Sequence, residues 1–263
     1  MDLGLQGKRA LVTGGSRGIG KAIAAALAAE GCVVAIAARD EARLAATTAE
    51  LSAKGARIVP LVVDTGDDES VRSMVAAAHH ALGGVDILVN NAARPGGAQA
   101  KLAAITTDIL FEEVNVKVMG YLRCAREAAP FMVEQGWGRI INISGLAART
   151  GGSIAGSVRN VSVAALTKVL ADELGPAGIN VTCVHPGATR TEATDAAIAA
   201  RVAISGRSIA AIEAEFASRS PLGRLITAEE VADVVAFLAS PRSVAITGDA
   251  IAAAGGLLGA VHY

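Results

Sequence analysis

The chain has 263 residues, 52% of them hydrophobic, and its formal net charge is −1, from 24 Lys and Arg against 25 Asp and Glu. A chain of this length and hydrophobicity can bury one large core, so we expect a single domain over residues 1–263. The near-neutral charge lacks the basic field that phosphate-backbone binding requires, which argues against a nucleic-acid partner.

Neither the apolar runs nor the cysteines indicate a membrane or an oxidising compartment. Apolar runs such as residues 22–29 and 251–261 are shorter than the ~20 residues of a transmembrane helix, and the first residues do not resemble a signal peptide. Cys32, Cys124 and Cys183 are odd in number and lie in apolar segments. This pattern favours buried, reduced thiols in a cytoplasmic protein.

The N-terminal segment has the pattern of a strand, a glycine loop and a helix. Arg9 to Thr13 predicts the strand, and an Ala-rich helix runs to about Glu30. Glycines let a loop approach a pyrophosphate closely, and the N–H groups at a helix start favour that anion. We therefore expect a dinucleotide site; the alternative is a tight turn without a ligand. The loop consists of Gly14, Gly15, Ser16, Arg17, Gly18, Ile19 and Gly20.

The second strand, Cys32 to Ala38, ends where a dinucleotide fold places the adenosine ribose. Arg39 follows it, and Arg17 of the glycine loop is expected nearby. A cation at this corner pairs with a 2′-phosphate, whereas an acid would bind a 2′-hydroxyl. The sequence therefore predicts NADP, with NADPH preferred over NADH. The alternative is that both arginines lie in solvent.

Further strands alternate with helices along the chain. This alternation implies βαβ units with right-handed crossovers, and so an α/β fold with a parallel sheet. Residues 189–225 show a weaker pattern, which we interpret as a substrate-loop insertion. The strands are expected over residues 58–63, 85–89, 138–144, 178–185 and 248–251, and the helices over residues 40–53, 107–135, 153–174 and 227–238.

The order and spacing of these motifs resemble those of the short-chain dehydrogenase/reductase family, in its single-domain branch. The resemblance implies a Rossmann-type doubly wound sheet of seven parallel strands with helices on both faces, a nicotinamide cofactor, and a dimer or tetramer. Ala93 departs from the family pattern, which has Gly there. The motif residues are Thr13, Gly14, Gly18, Gly20, Asp64, Asn90, Asn91, Ala92, Asn115, Ser144, Pro186, Gly187 and Thr191.

The resemblance also implies which residues hold the cofactor. Asp64 would hold the adenine, Asn90 would lie on the adenosine side, and Thr191 would bind the nicotinamide amide. The cofactor-binding residues that we expect are Gly14, Ser16, Arg17, Gly18, Ile19, Gly20, Arg39, Asp64, Thr65, Asn91, Ala92, Asn160, Pro186, Gly187, Thr189 and Thr191.

The family transfers protons with an Asn, a Ser and a Tyr-x-x-x-Lys pair. In family members the Tyr is the general acid/base, the Ser binds the substrate oxygen, the Lys holds the nicotinamide ribose and lowers the Tyr pKa, and the Asn anchors a water. Asn115 and Ser144 are present, but an ungapped alignment of the next helix puts Gly156 and Asn160 at the Tyr and Lys positions. A shift by one residue does not restore the pair.

Few side chains could replace the missing acid. Tyr121 lies roughly 240° around the helix from Asn115, which favours core packing. His185 has an imidazole suited to proton transfer, but a structural hydrogen bond is the favoured interpretation. Arg159 could polarise a substrate oxygen or bind a carboxylate. The catalytic candidates are Ser144, Asn115, Asn160 and Arg159, whereas His79 and His80 are expected in solvent.

Three functions fit this sequence. The first is an NADP-dependent oxidoreductase that transfers hydride to or from a carbonyl or alcohol with atypical proton transfer. The second is a cofactor-binding, catalytically impaired homologue with a structural or regulatory role. The third is non-redox chemistry on the same scaffold, because a fold alone does not fix a function.

The C-terminal segment from Gly255 to Tyr263 predicts a partner. Leu257 and Leu258 follow the last strand with no later residues to cover them, so we expect this segment at the interface of a homo-oligomer. A less direct hypothesis is that His262 or Tyr263 reaches the active site of a neighbouring copy.

Overall fold

Seven parallel strands form the central sheet of the computed structural model, which describes residues 1–94, 101–218 and 220–258. The order across this sheet is β3-β2-β1-β4-β5-β6-β9, and β7 pairs with β8 in a separate two-stranded sheet. In chain order the strands are β1 (Arg9–Thr13), β2 (Val33–Ala38), β3 (Ile58–Val62), β4 (Ile87–Asn90), β5 (Gly138–Ile143), β6 (Ile179–Pro186), β7 (Thr189–Arg190), β8 (Ile226–Thr227) and β9 (Ala250–Ala253).

Helices cover both faces of the sheet. Within the described residues, none of them is long and apolar enough to cross a membrane. The helices are α1 (Gly18–Ala29), α2 (Glu41–Ser52), α3 (Asp68–Leu82), α4 (Thr107–Val114), α5 (Gly120–Gln135), α6 (Ile154–Leu174), α7 (Glu192–Ser205), α8 (Ile209–Ala217) and α9 (Ala228–Ala239).

The alternation of side chains along each strand explains the two helical layers. On β1, Val12 belongs to the core cluster that contains residues of α1, α2 and α9, whereas Leu11 belongs to the cluster that contains residues of α3, α5 and α6. Successive residues of a strand point to opposite faces, so apolar strands become buried on both sides. The predicted doubly wound Rossmann-type sheet is confirmed.

The first strand is the point at which the strand order reverses. β1 pairs with β2 on one side and with β4 on the other. In an open α/β sheet, such a reversal leaves a crevice at the carboxyl ends of the strands. Asn91 joins the loops there, because its Nδ2 donates to Thr13 O and to Gly14 O, each at 3.1 Å.

The long helix predicted over residues 107–135 is interrupted by a π-helical turn. This turn covers Asn115–Met119, between α4 and α5. Arg123 braces it by donating to Asn115 O at 3.2 Å and to Asn115 Oδ1 at 2.9 Å. A π turn adds a residue to one turn of a helix and is frequent at functional sites. The apolar spacing did not indicate it.

Two helices, which the weaker sequence pattern did not predict, occupy most of residues 189–225. Thr191 caps α7 and Ser208 caps α8. Ile198, Ile212 and Leu225 form a small buried cluster between them. Side-chain caps and this local core stabilise helices whose apolar periodicity is too irregular to predict them.

Candidate active site

A cleft of about 740 Å³ lies above the carboxyl ends of β1 and β4. Most of the residues predicted to bind a cofactor line it. These are Gly14, Ser16, Arg17, Gly18, Ile19, Gly20, Arg39, Thr65, Asn91, Ala92 and Thr191.

The glycine loop fits a pyrophosphate because its backbone has no room for side chains. Gly14 has φ +65°, and a Cβ there would lie 2.8 Å from Asn91 Nδ2. A Cβ on Gly20 would lie 2.2 Å from Gly14 O. The loop therefore packs tightly on the start of α1, where backbone N–H groups favour an anion.

The far end of the cleft is basic. Arg17, Arg39 and Arg43 all line it, just beyond the end of β2. The one acid between them, Asp40, is engaged with α2, where it accepts from Arg43 N at 3.0 Å and lies 3.5 Å from the Arg43 guanidinium. This corner suits a phosphate better than a neutral hydroxyl. Arg43 was missed because it lies inside a predicted helix.

A second cavity, of about 480 Å³, lies beside the carboxyl ends of β5 and β6. Ser144, Arg159 and Asn160 line one wall, with Pro186 and Gly187. The opposite wall comes from the segment after β6 and includes Arg201, Glu215, Phe216 and Arg224, together with Leu257. The predicted insertion thus contributes to a cavity suited to a small molecule.

A buried lysine connects three elements of this second site. Lys117 of the π turn is 4% exposed, and its Nζ donates to Ser144 O and to Asn160 Oδ1, each at 2.9 Å. Ser144 Oγ donates to Asn160 O at 3.0 Å. Burial, together with the smaller effect of the nearby Arg159 guanidinium, lowers the pKa of Lys117 to about 7. Sequence reasoning missed this residue.

A signal for Lys117 was nevertheless present in the sequence. It lies three residues after Val114 and four before Tyr121, on the apolar face of a predicted helix. A lysine on such a face is rarely buried without a partner. The partner was not predictable, because the π turn and the end of β5 had to be brought together.

Arg159 is held by an acid from another helix. It forms an ion pair with Glu113 of α4, and the two side chains are 12% and 6% exposed. The pair lies at the edge of the second cavity, where Arg159 lines the wall. Part of the charge that could have polarised a substrate oxygen is therefore neutralised by Glu113, which the sequence did not single out.

Comparison with known proteins decides the family. The family model described as enoyl-(acyl carrier protein) reductase matches residues 14–258. The chain is 35% identical to the 3-oxoacyl-(acyl-carrier-protein) reductase of Aquifex aeolicus (strain VF5), over 98% of this chain and 100% of that one. The chain belongs to the short-chain dehydrogenase/reductase family.

Solved structures agree with this membership. L-Sorbose reductase from Gluconobacter frateurii, complexed with NADPH and L-sorbose, superposes with a TM-score of 0.94 at 30% identity, over 99% of this chain and 100% of that one. An actinorhodin polyketide ketoreductase variant with NADPH gives 0.89 at 33%, over 96% and 98%. The chain is thus a short-chain oxidoreductase.

Gly156 and Asn160, which the sequence alignment predicts at the family's Tyr and Lys positions, both lie on α6. Gly156 lies in the first turn of α6, where a Cβ would sit 2.7 Å from Ser153 Oγ and 3.8 Å from Ala147 Cβ. Asn160, one turn later, is 5% exposed and lies against Ser144. Asn160 is therefore at the second cavity, and Gly156 leaves no side chain there.

The structure does not bring the side chain of Asn115 to the second cavity. Its Nδ2 donates to Gly66 O at 3.2 Å, and its Oδ1 accepts from Arg123. Asn115 lines neither cavity. In this structure the side chain of Asn115 contacts Gly66 and Arg123 and braces the π turn.

Three residues assigned to the cofactor by resemblance lie outside both cavities. Asn90 is fully buried and donates to Asn142 Oδ1 at 2.9 Å. Asp64 accepts from Gly66 N at 2.9 Å. Thr189 is buried and donates to Gly187 O at 3.1 Å. Local hydrogen bonds hold each of these side chains in place.

The other candidate acids are also held by packing. Tyr121 is 1% exposed, its hydroxyl donates to Ile143 O at 2.8 Å, and burial raises its pKa. His185 is buried beside Cys183. His79 was expected in solvent, but its ring stacks on Phe131 with centroids 4.0 Å apart.

The C-terminal segment is described only in part. Leu257 lines the second cavity and Leu258 is 61% exposed. His262 and Tyr263 lie outside the described residues.

A carboxylate lies at the pyrophosphate end of the cleft. Glu192, the first residue of α7, accepts from Gly18 N at 3.1 Å and lines the cleft. Gly18 is the first residue of α1, where a bound phosphate oxygen would be stabilised. Glu192 therefore repels or competes with an anion at this position.

We expect Glu192→Gln to lower the Kd for NADPH by about three- to tenfold, because one negative charge leaves the phosphate site. Equilibrium fluorescence titration measures the change. Glu173→Gln, on the exposed end of α6, is the matched control and should leave the Kd unaltered. An unchanged or weaker affinity in Glu192→Gln would show that this carboxylate does not oppose the cofactor.

Proposed function

We propose that this protein is an NADP(H)-dependent short-chain oxidoreductase that acts on a carbonyl or alcohol substrate without a tyrosine acid. The observation that carries the proposal is the arginine corner formed by Arg17, Arg39 and Arg43, in the same cleft as a glycine loop that fits a pyrophosphate. Two structurally similar proteins, the sorbose reductase and the polyketide ketoreductase, are complexed with NADPH.

Different residues of the cleft would bind different parts of the cofactor. The arginine corner would pair with the 2′-phosphate, and the backbone from Gly14 to Gly20 would hold the pyrophosphate. Pro186 and Gly187 line the second cavity and would hold the nicotinamide end, together with Thr191, which lines the cleft beside Gly18. When bound, NADPH supplies the hydride, and the chain orients the substrate and handles one proton.

Proton handling is where this chain departs from the family. Reduction of a carbonyl adds hydride to carbon and a proton to oxygen, and Gly156 has no proton to give. Ser144 reaches the second cavity and can hold the substrate oxygen, while Asn160 can donate a neutral hydrogen bond. We propose that solvent in the cavity provides the proton, which favours substrates that need no strong acid.

A cofactor-binding homologue without turnover is the competing function, because the same cleft would serve both. Steady oxidation of NADPH with a panel of ketones and diketones separates the two. Turnover supports the oxidoreductase, and tight binding of NADPH without turnover on any of them supports the binding protein.

The arginine corner predicts cofactor choice. Arg39→Ala should raise the Kd for NADPH by about ten- to a hundredfold, because a charge-assisted contact with the 2′-phosphate is lost. The Kd for NADH should change little. Titration calorimetry with both cofactors measures this, with Arg57→Ala, an exposed arginine that does not line the cleft, as the control. Equal affinity of the unaltered protein for NADPH and NADH would refute the preference.

The position of Gly156 predicts the effect of restoring a phenol. Gly156→Tyr should raise kcat for simple ketones by about 10²-fold or more over Gly156→Phe, because a positioned general acid contributes that much. Both side chains displace the Ser153 hydroxyl that caps α6, so the comparison isolates the phenolic proton. Equal rates for the two variants, beside an unaltered protein with rates normal for the family, would show that another group already donates the proton.

An apolar stripe on α6 predicts self-association. Val158, Val161 and Val169 are 41%, 51% and 61% exposed. With the exposed Ala165 they fall on one face of the helix, because their spacing of three or four residues is close to one turn. We propose that a second copy of this chain covers the stripe in a symmetric homo-oligomer, since an isologous interface joins the same patch on both subunits.

Val161→Lys should therefore lower the molar mass measured by multi-angle light scattering, because the charge would be buried in the contact. Val62→Lys, at a similarly exposed position on the sheet edge, is the control and should keep the mass of the unaltered protein. A monomeric unaltered protein would refute the homo-oligomer.

The cysteines support a cytoplasmic location, which we propose for this protein. Cys32, Cys124 and Cys183 are free and buried. Burial raises the pKa of Cys32 and Cys124 to about 12. Buried thiols of this kind are typical of proteins in a reducing compartment.

A further inference from the structure

The side chain of Lys117 occupies the junction of three elements. It starts from the π turn between α4 and α5, and its Nζ reaches Ser144 O at the end of β5 and Asn160 Oδ1 on α6, each at 2.9 Å. Burying an ammonium group is costly even when it is hydrogen-bonded. An apolar side chain of the same length would fill this space without that cost. Packing alone therefore does not explain why the side chain at position 117 is charged.

The contact with Lys117 fixes the orientation of the Asn160 amide. Oδ1 accepts from an ammonium group, so the NH₂ group must point the other way. In the flipped amide, the NH₂ group would face the ammonium group, and both are donors. Nδ2 lies beside Gly145, where a Cβ would be only 2.9 Å away. Gly145 and Asn160 both line the second cavity. Among the described residues, Nδ2 donates to no acceptor, so its hydrogens are available to a ligand.

We propose that Lys117 is the positioning residue for Asn160 and the source of positive charge at the nicotinamide end of the site. Asn160 would donate to a hydroxyl of the nicotinamide ribose, and Lys117 would strengthen that donor by withdrawing charge through Oδ1. The two side chains together thus take the place of the single lysine found in family members. This inference rests on the proposed function, because it requires a nicotinamide cofactor in the cleft.

The charge of Lys117 depends on its surroundings. Its pKa is lowered to about 7, mainly by burial and then by Arg159 of α6, while Cys183 of β6 and Glu113 of α4 partly oppose this fall. Above this pH the ammonium loses its proton, so the positive charge is present at pH 6 and largely lost at pH 8.5. Tyr121 of α5 and His185 of β6 lie in the same buried layer, next to Cys183.

Two ligands that share their adenosine end test the proposal. NADPH reaches both ends of the site, whereas 2′,5′-ADP has the 2′-phosphate but no nicotinamide ribose. Lys117→Met should raise the Kd for NADPH by about tenfold at pH 6 and by less at pH 8.5, and it should leave the Kd for 2′,5′-ADP within about twofold. In the unaltered protein, the affinity for NADPH divided by that for 2′,5′-ADP should fall as the pH rises, because Lys117 loses its charge. The titration of the 2′-phosphate, which both ligands carry, cancels in this ratio.

Moving the ammonium group from position 117 to position 160 is the second test. Lys117→Met combined with Asn160→Lys moves the ammonium onto α6, and NADPH affinity should return to within about threefold of the unaltered protein. Asn160→Lys alone places two ammonium groups together and should weaken binding. If Lys117 only filled space, a lysine at position 160 would not restore the NADPH affinity.

The outcomes distinguish a failure of the inference on Lys117 from a failure of the proposed function. If Lys117→Met melts normally and binds NADPH like the unaltered protein at both pH values, the inference is overturned while the proposed function stands. If Lys117→Met does not fold, a flat affinity ratio between about pH 6 and 8.5 in the unaltered protein overturns it. If the unaltered protein binds neither NADPH nor 2′,5′-ADP, the proposed function itself is wrong.

Discussion

The contact between the loops after β1 and β4 is the constraint on which the cofactor cleft depends. Asn91 Nδ2 donates to the carbonyls of Thr13 and Gly14, and Asn91 N donates to Thr13 Oγ1 at 3.0 Å. These bonds satisfy backbone carbonyls at the strand ends, where the ladder no longer can. With those carbonyls engaged, the two loops are held together at the reversal of strand order, where the crevice lies.

The fold was largely predictable from the sequence because it depends on local patterns. Strand runs such as Val33–Ala38 are apolar on both faces, and a capping box of Thr227 and Glu230 marks the start of α9. The helices α7 and α8 were missed because a small local core, not a regular apolar stripe, stabilises them. Periodicity alone could not reveal the π turn, since the bracing Arg123 acts across several turns.

The candidate site was predictable only where backbone geometry defines it. Gly14 and Gly20 are required by close contacts that any side chain would break, and such contacts leave a motif in the sequence. Polar side chains are different, because Asn90, Asp64 and Asn115 each have several partners within reach. Which partner a side chain meets is set by tertiary packing, so a family motif does not guarantee that its residue faces the ligand.

Lys117 contacts Asn160, which we propose occupies the family's lysine position, with Gly156 at its tyrosine position. In family members, a lysine on this helix stabilises a phenolate, and Gly156 leaves no phenolate to stabilise. The cation can then lie deeper, on the π turn, where it contacts Asn160 and not the region of a catalytic tyrosine. A second ammonium at position 160 would repel Lys117 at this distance. An asparagine at 160 and a lysine at 117 are therefore compatible choices, whereas two lysines are not.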